Sequence, residues 1–196
     1  MKICIVSDSH DRADGLAQAV REAKALGAEA VIHCGDLIGA QTLKPALAQG
    51  LPVHLIHGNN VGDPQALHRL ASASAGLLRY HGADGRIELG GRRIFLVHYD
   101  DYGYAMACTG NWELVCCGHS HRAEVRKVAS VKDNATWLVN PARWPVLPRR
   151  RHGCWAIWRR CASRCANSTT KAGIPFYRRH RSRRLPPCLP TILLPR

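Results

Sequence analysis

Seven side chains in this chain of 196 residues combine types and spacing suited to holding metal ions. Asp8 and His10 follow the apolar run Ile5-Val6, Asp36 follows His33-Cys34-Gly35, and Asn59 follows Ile56-His57-Gly58. His98 comes directly after Leu96-Val97, while His119 and His121 follow Cys116-Cys117-Gly118. Carboxylate and amide oxygens mixed with imidazole nitrogens, with no thiolate among them, suit manganese, iron, cobalt, nickel or zinc better than an all-oxygen calcium cage. Seven donors are too many for one tetrahedral ion. They suit two ions roughly 3.5–4 Å apart sharing a bridging carboxylate, the arrangement that phosphatases and nucleases use to hold an in-line displacement. Taken singly, each residue has an ordinary reading: Asp8 as a loop or capping residue, Asp36 and Asn59 as turn formers beside glycine, and His33, His54 and His57 as strand or loop histidines rather than ligands. Five separate segments that repeat the same strand-then-donor placement make the set a metal site.

Such donors meet only if the strands that carry them lie side by side. In an open α/β sheet the carboxyl ends of the strands line one edge, where ligands bind. The spacing predicts a strand over Ile3-Cys4-Ile5-Val6, then a helix with Leu16, Val20, Ala23 and Leu26 on one face and Gly27 as its stop. A strand over 30–34, a helix over 41–49, a strand over 53–56 and a helix over 64–73 with Pro64 in its first turn continue the alternation, which implies a parallel sheet covered by helices. After Leu77 the pattern changes. Runs 86–89 and 92–97 flank Gly90-Gly91 and read as a hairpin of a second, antiparallel sheet, joined by strands over 114–117, 124–131 and 136–139.

Composition separates the chain into two parts. Residues 1–141 hold 14 Lys and Arg against 14 Asp and Glu, so this body is neutral, and the whole net charge of +14 lies in 142–196, which has no acidic residue. That excludes a uniformly basic nucleic-acid-binding domain over 1–141. The apolar run before Ser7 is too short for a signal peptide, and no stretch approaches the roughly 18 apolar residues of a membrane span. With nine cysteines, an odd number, the expectation is a cytoplasmic protein with reduced thiols, in which Cys4, Cys34, Cys116 and Cys117 pack as small hydrophobes.

Asp8-x-His10, Gly35-Asp36, Gly58-Asn59, the lone His98 and Gly118-His119-Ser120-His121 together resemble the signature of the calcineurin-like metallophosphoesterase superfamily, specifically its small single-domain bacterial and archaeal phosphodiesterases. The resemblance covers about residues 1–141. It implies a four-layer α/β/β/α sandwich, two mixed β-sheets flanked by helices. It also implies one ion on Asp8, His10, Asp36 and His121 and another on Asp36, Asn59, His98 and His119, with Asp36 bridging. The implied cofactor is two divalent ions, manganese first and nickel, zinc, iron or cobalt as alternatives. The implied activity is metal-dependent hydrolysis of a small phosphoester, a phosphodiester before a phosphoprotein given the chain's size. The attacking group would be a hydroxide bridging the two ions, since such a water has its pKa drawn down to about 7.

The chain departs from the pattern in three places. Many relatives carry histidine where Asn60 stands; asparagine is no general acid but can donate a hydrogen bond to a phosphoryl oxygen, so Asn60 and Asp36 are the expected catalytic residues of a slow enzyme, or one that favours good leaving groups. Tyr99-Asp100-Asp101-Tyr102 replaces the glycine and histidine often found after His98; Asp101 is expected to cap a following helix, Tyr99 to line the substrate slot, and Arg122 to be solvated. Residues 142–196, with 13 Arg, one Lys, seven Pro and four Cys, show no strand or helix pattern and read as translation of a GC-rich gene in a shifted frame, a disordered tail in place of the closing strands of the second sheet. The rival reading of that tail is a nucleic-acid-binding arm with arginines beside Trp144, Trp155 and Trp158; His152, Cys154, Cys161 and Cys165 match no strong zinc template. The rival reading of the whole chain is a protein-interaction scaffold, since a eukaryotic retromer subunit has the same fold. Oligomeric state is open, and no membrane partner is expected.

Overall fold

The computed structural model describes residues 1–141 and the backbone of two further segments, 155–159 and 191–192. Strand and helix alternate through β1 (Lys2–Val6), α1 (Ala13–Ala25), β2 (Ala30–His33), α2 (Ala40–Leu47), β3 (Val53–Leu55), α3 (Pro64–Ala73) and β4 (Leu78–Tyr80), and β5 (Asp84–Leu89), β6 (Arg92–Val97) and α4 (Asp100–Cys108) follow. β7 (Leu114–Cys116), β8 (Ala123–Ala129) and β9 (Ala135–Pro141) complete the second half, and β10 (Trp155–Arg159) and β11 (Thr191–Ile192) follow. One sheet runs β11-β10-β1-β2-β3-β4, with β1 to β4 parallel; the other runs β5-β6-β7-β9-β8, in which β6, β7 and β9 are parallel and β5 and β8 antiparallel to their neighbours.

Strand periodicity explains the layers. In β1, Ile3 and Ile5 point to the opposite sheet and Cys4 and Val6 to the helices; in β6, Ile94 and Leu96 point inward and Phe95 and Val97 to α4. Three apolar clusters result: one between α1–α3 and the first sheet, one between the sheets, and one between the second sheet and α4. This is the expected four-layer sandwich. Cys4, Cys34, Cys116 and Cys117 are all buried in these clusters.

Local chemistry sets the boundaries. Asp63 caps α3, its carboxylate accepting from the Ala66 N–H at 3.0 Å, and Pro64 opens the helix where no donor is needed. Gly27 takes φ +84° after α1. β4 goes beyond the sequence pattern: Leu78 and Tyr80 face the core and Arg79 solvent, but three residues are too few to mark a strand without the partner that β3 offers. The antiparallel pairing of β10 with β1, from Lys2–Arg159 to Ile5–Ala156, and the parallel pairing of β11 with β10 likewise lie where the sequence shows no strand. They extend the first sheet, whereas the second ends in β5 and β8 among the described residues. The tail readings for the rest of 142–196, including Trp144, His152, Cys161 and Cys165, lie outside the described residues. Among the described residues, no helix is long and apolar enough to cross a membrane.

Candidate metal centre

Loops after β1, β2, β3, β6 and β7 meet at one edge of the two sheets and bring all seven predicted donors together. Asp36 lies in the middle: its Oδ2 is 3.7 Å from His10 Nε2 and its Oδ1 3.4 Å from His98 Nε2. On one side Asp8 Oδ1 is 3.2 Å from His121 Nε2 and 3.9 Å from His10 Nε2. On the other, Asn59 Oδ1 is 2.9 Å from both His98 Nε2 and His119 Nδ1. Ligand atoms of Asp8, His10 and His121, and of Asp8, Asp36 and His98, form two groups, each within 4.8 Å.

The backbone is bent to achieve this. Asp8, His10, Asp36, His119 and His121 all have φ between +43° and +64°, the left-handed region that non-glycine residues rarely enter. Each such residue costs on the order of 1–3 kcal/mol, and clustering of this strain is a mark of a functional site. Glycines permit the close approach: a Cβ at Gly118 would strike Ser7 Oγ and come within 2.8 Å of Asp8 Oδ2, and one at Gly35 would come within 2.6 Å of His98 Nδ1.

Hydrogen bonds set the protonation of the donors. His98 Nδ1 donates to the Cys34 carbonyl at 2.8 Å, and a carbonyl only accepts, so in the neutral ring Nε2 turns a lone pair toward Asn59 and Asp36. Burial pushes the Asp36 carboxyl up, but the backbone and side-chain N–H groups of Asn60, at 2.9 and 2.6 Å, with His98 and His10 nearby, outweigh it and hold the carboxyl below its usual value. One N–H of the Asn60 side-chain amide is engaged with Asp36 Oδ2, which leaves the other for a phosphoryl oxygen. Asp8 is 1% exposed, yet its Oδ1 accepts no hydrogen bond. Oxygens of two carboxylates and an amide and ring nitrogens of four imidazoles thus converge on a cleft in which Asp8, Asp36 and His98 are buried and Asn59, His119 and His121 are open to solvent. Divalent cations fit that donor set, and buried polar atoms in this state call for an ion or water.

Several supports are invisible in the sequence. Gly35 N–H donates to His33 Nδ1 at 3.3 Å, so His33 Nε2–H donates to Ser9 Oγ at 3.0 Å, tying the Asp36 loop to the Asp8-His10 loop. Burial lowers the His33 pKa to about 4, which keeps it in that neutral form. Asn140 donates to the Gly118 carbonyl at 2.6 Å and to Ser120 Oγ at 3.0 Å, bracing the His119 loop from β9. Asp101 does not cap α4. Tyr99 holds the cap position, and Asp101 sits in the first turn with its carboxylate on the Tyr102 N–H. The reason is that the chain is already extended at Tyr99, with ψ 130°, as it leaves β6. Arg122 is exposed, as expected.

The model of the calcineurin-like phosphoesterase superfamily domain matches residues 1–153. The chain belongs to the calcineurin-like phosphoesterase superfamily. That superfamily is generally dependent on divalent metals, in keeping with the donor set of this domain. Among solved structures, an archaeal phosphodiesterase aligns at TM-score 0.64 with 23% identity, over 73% of this chain and 84% of its own. A predicted phosphoesterase from Streptococcus pneumoniae TIGR4 aligns at 0.53 with 19% identity, over 80% of each chain. Yfce, a phosphoesterase from E. coli, aligns at 0.50 with 17% identity, over 80% of this chain and 87% of its own. At these identities the likeness is one of fold. No curated protein matches this calcineurin-like chain.

Proposed function

We propose that this protein hydrolyses phosphodiesters with two divalent cations, one held by Asp8, His10, Asp36 and His121 and the other by Asp36, Asn59, His98 and His119. The observation that carries the reading is the position of Asp36, whose two carboxylate oxygens face different histidines, His10 and His98, so that one carboxylate lies within reach of both ions. Bound there, the cations would supply Lewis-acid charge to the phosphoryl oxygens and lower the pKa of a water to about 7.

The chain's own residues do the rest by position and charge, which dominate phosphoryl transfer. Asn60 keeps Asp36 ionised through two hydrogen bonds. The Cys34 carbonyl fixes which nitrogen of His98 faces the site, and the left-handed loops aim the remaining donors. The amide of Asn60 has a second N–H to offer a phosphoryl oxygen but no acidic proton to give a leaving oxygen, which favours good leaving groups. Manganese is the proposed resident metal, because mixed oxygen and imidazole donors suit it, and a cytoplasmic location accompanies the reading of reduced thiols.

Elemental analysis of protein purified without chelator, followed by assay of bis(p-nitrophenyl) phosphate with manganese, nickel and zinc, tests the proposal. Two ions per chain and hydrolysis lowered at least about 10²-fold in Asp36→Asn are expected, since removing a centrally placed charge-stabilising group costs that much. A folded protein that binds no ions and hydrolyses no phosphoester overturns it and leaves the scaffold reading.

A further inference from the structure

The site opens onto an aromatic shelf. Tyr99 lies with its ring centroid 4.8 Å from that of His119 and 5.5 Å from that of His98, and Tyr102 continues outward, 5.7 Å from Tyr99. Tyr99 is 38% and Tyr102 61% exposed, among the few large hydrophobic side chains on the described surface left open to this degree. Their helix does not spend them on the core: α4 buries only Gly103 and Ala107. A Cβ at Gly103 would lie 3.1 Å from Cys117 Cβ, so the helix is seated tightly against the strand end that leads to His119. That seating sends the two neighbouring tyrosines outward. Tyr104 is covered by the Arg126 guanidinium, 4.9 Å above its ring, whereas Tyr102 extends the row that begins at His119.

Aromatic rings in a row from a phosphate-binding position are suited to stacking a flat group attached to that phosphate. We infer that Tyr99 and Tyr102 select phosphodiesters whose non-leaving group carries a nucleobase. This rests on the phosphodiesterase reading above and adds the substrate class. The Tyr99 and Tyr102 rings are inclined at 61°, so a flat base stacks on the open face of Tyr102 with Tyr99 meeting it edge-on; an alkyl or sugar group has no π-face for that contact, and any base has one. The shelf belongs to an otherwise neutral body, so the selection works through stacking rather than through a basic patch.

Two substrates with the same leaving group separate this selection from the chemistry: thymidine 5′-(p-nitrophenyl phosphate) and methyl p-nitrophenyl phosphate. The metal-loaded full chain is expected to prefer the thymidine ester in kcat/KM, and Tyr102→Ala to shrink that preference roughly 5- to 150-fold, the range that base stacking on an aromatic side chain supports. Tyr102→Phe, which keeps the ring, is expected to retain the preference. Saturation-transfer NMR with thymidine 5′-monophosphate gives a readout independent of turnover, with the base protons receiving more saturation than the sugar protons. Hydrolysis of both esters without preference, a preference unchanged in Tyr102→Ala, or even transfer across the nucleotide overturns the inference while the phosphodiesterase reading stands. Hydrolysis of neither ester overturns both.

Discussion

A methyl group added at Gly58 tests whether close backbone approach holds the candidate centre together. Gly58 has an ordinary φ, so alanine there meets no conformational penalty and the effect is steric. Its Cβ would overlap Asp36 Oδ1 and lie 2.7 Å from the Asp36 nitrogen and 2.8 Å from His98 Cε1, where ordinary contacts begin at 3.4 Å. Asp36 and the His98 ring must therefore retreat by about 0.6–0.7 Å or more. Neither has room to do so cheaply, because Asp36 already sits at φ +54° and His98 is tied at 2.8 Å to the carbonyl preceding Gly35. Overpacking of this kind costs about 1–3 kcal/mol, which for a chain of this length lowers Tm by roughly 2–12 °C. Displacing reactive groups by about 1 Å costs on the order of 10²-fold in rate. Gly76→Ala is the matched control: its Cβ meets nothing within 4 Å, but its φ of +85° imposes strain. It is expected to lose comparable stability with activity intact. Thermal unfolding, metal content and turnover of an aryl phosphodiester on both variants decide the matter. Parent-level turnover and metal content in Gly58→Ala, or an equal loss in Gly76→Ala, would refute the reasoning.

Chelation of metal-loaded protein should lower Tm by about 5–10 °C per site if each ion was present at a hundred times its Kd, and readdition of metal should restore it; an unchanged Tm counts against a site formed in the folded state. Asn60→His, which supplies a general acid, should flatten the dependence of rate on leaving-group pKa across aryl phosphodiesters, and an equally steep slope in both proteins argues that Asn60 is not near the leaving oxygen. Burial, with the charges of His81 and Arg79, lowers the His54 pKa to about 4, below the ordinary value of about 6.5. The unfolded chain therefore binds the extra proton first as pH falls, so stability should drop between pH 6.5 and 4, and His54→Gln should show a shallower drop in Tm over that window.

Much of this architecture could be read from local pattern. Burial on both faces makes the parallel strands near-continuous apolar runs, and the helices carry their own spacing and stops, so β1, α1, β2, α2, β3 and α3 fall close to their expected ranges. The types of the seven donors, and their placement after apolar runs, point to a metal site because chemistry of that kind depends on residue identity. What the pattern could not carry depends on contacts between distant segments. β4 and β10 exist through pairing with β3 and β1; β4 is too short for its alternation to be read, and the sequence around β10 shows no strand pattern.

The same division runs through the site. That Asp36 lies between His10 and His98, that Cys34 sets the proton on His98, and that Asn60 turns one amide N–H to Asp36 are consequences of loops from separate strands meeting at one edge. So are the left-handed turns at Asp8, His10, Asp36, His119 and His121: Asp and His enter that region more readily than most residues, but nothing local places these five there. Residue identity names which atoms can donate or accept. Only the packing of two sheets brings those atoms within reach of each other, because lone-pair direction and distance are properties of the folded backbone and have no one-dimensional trace.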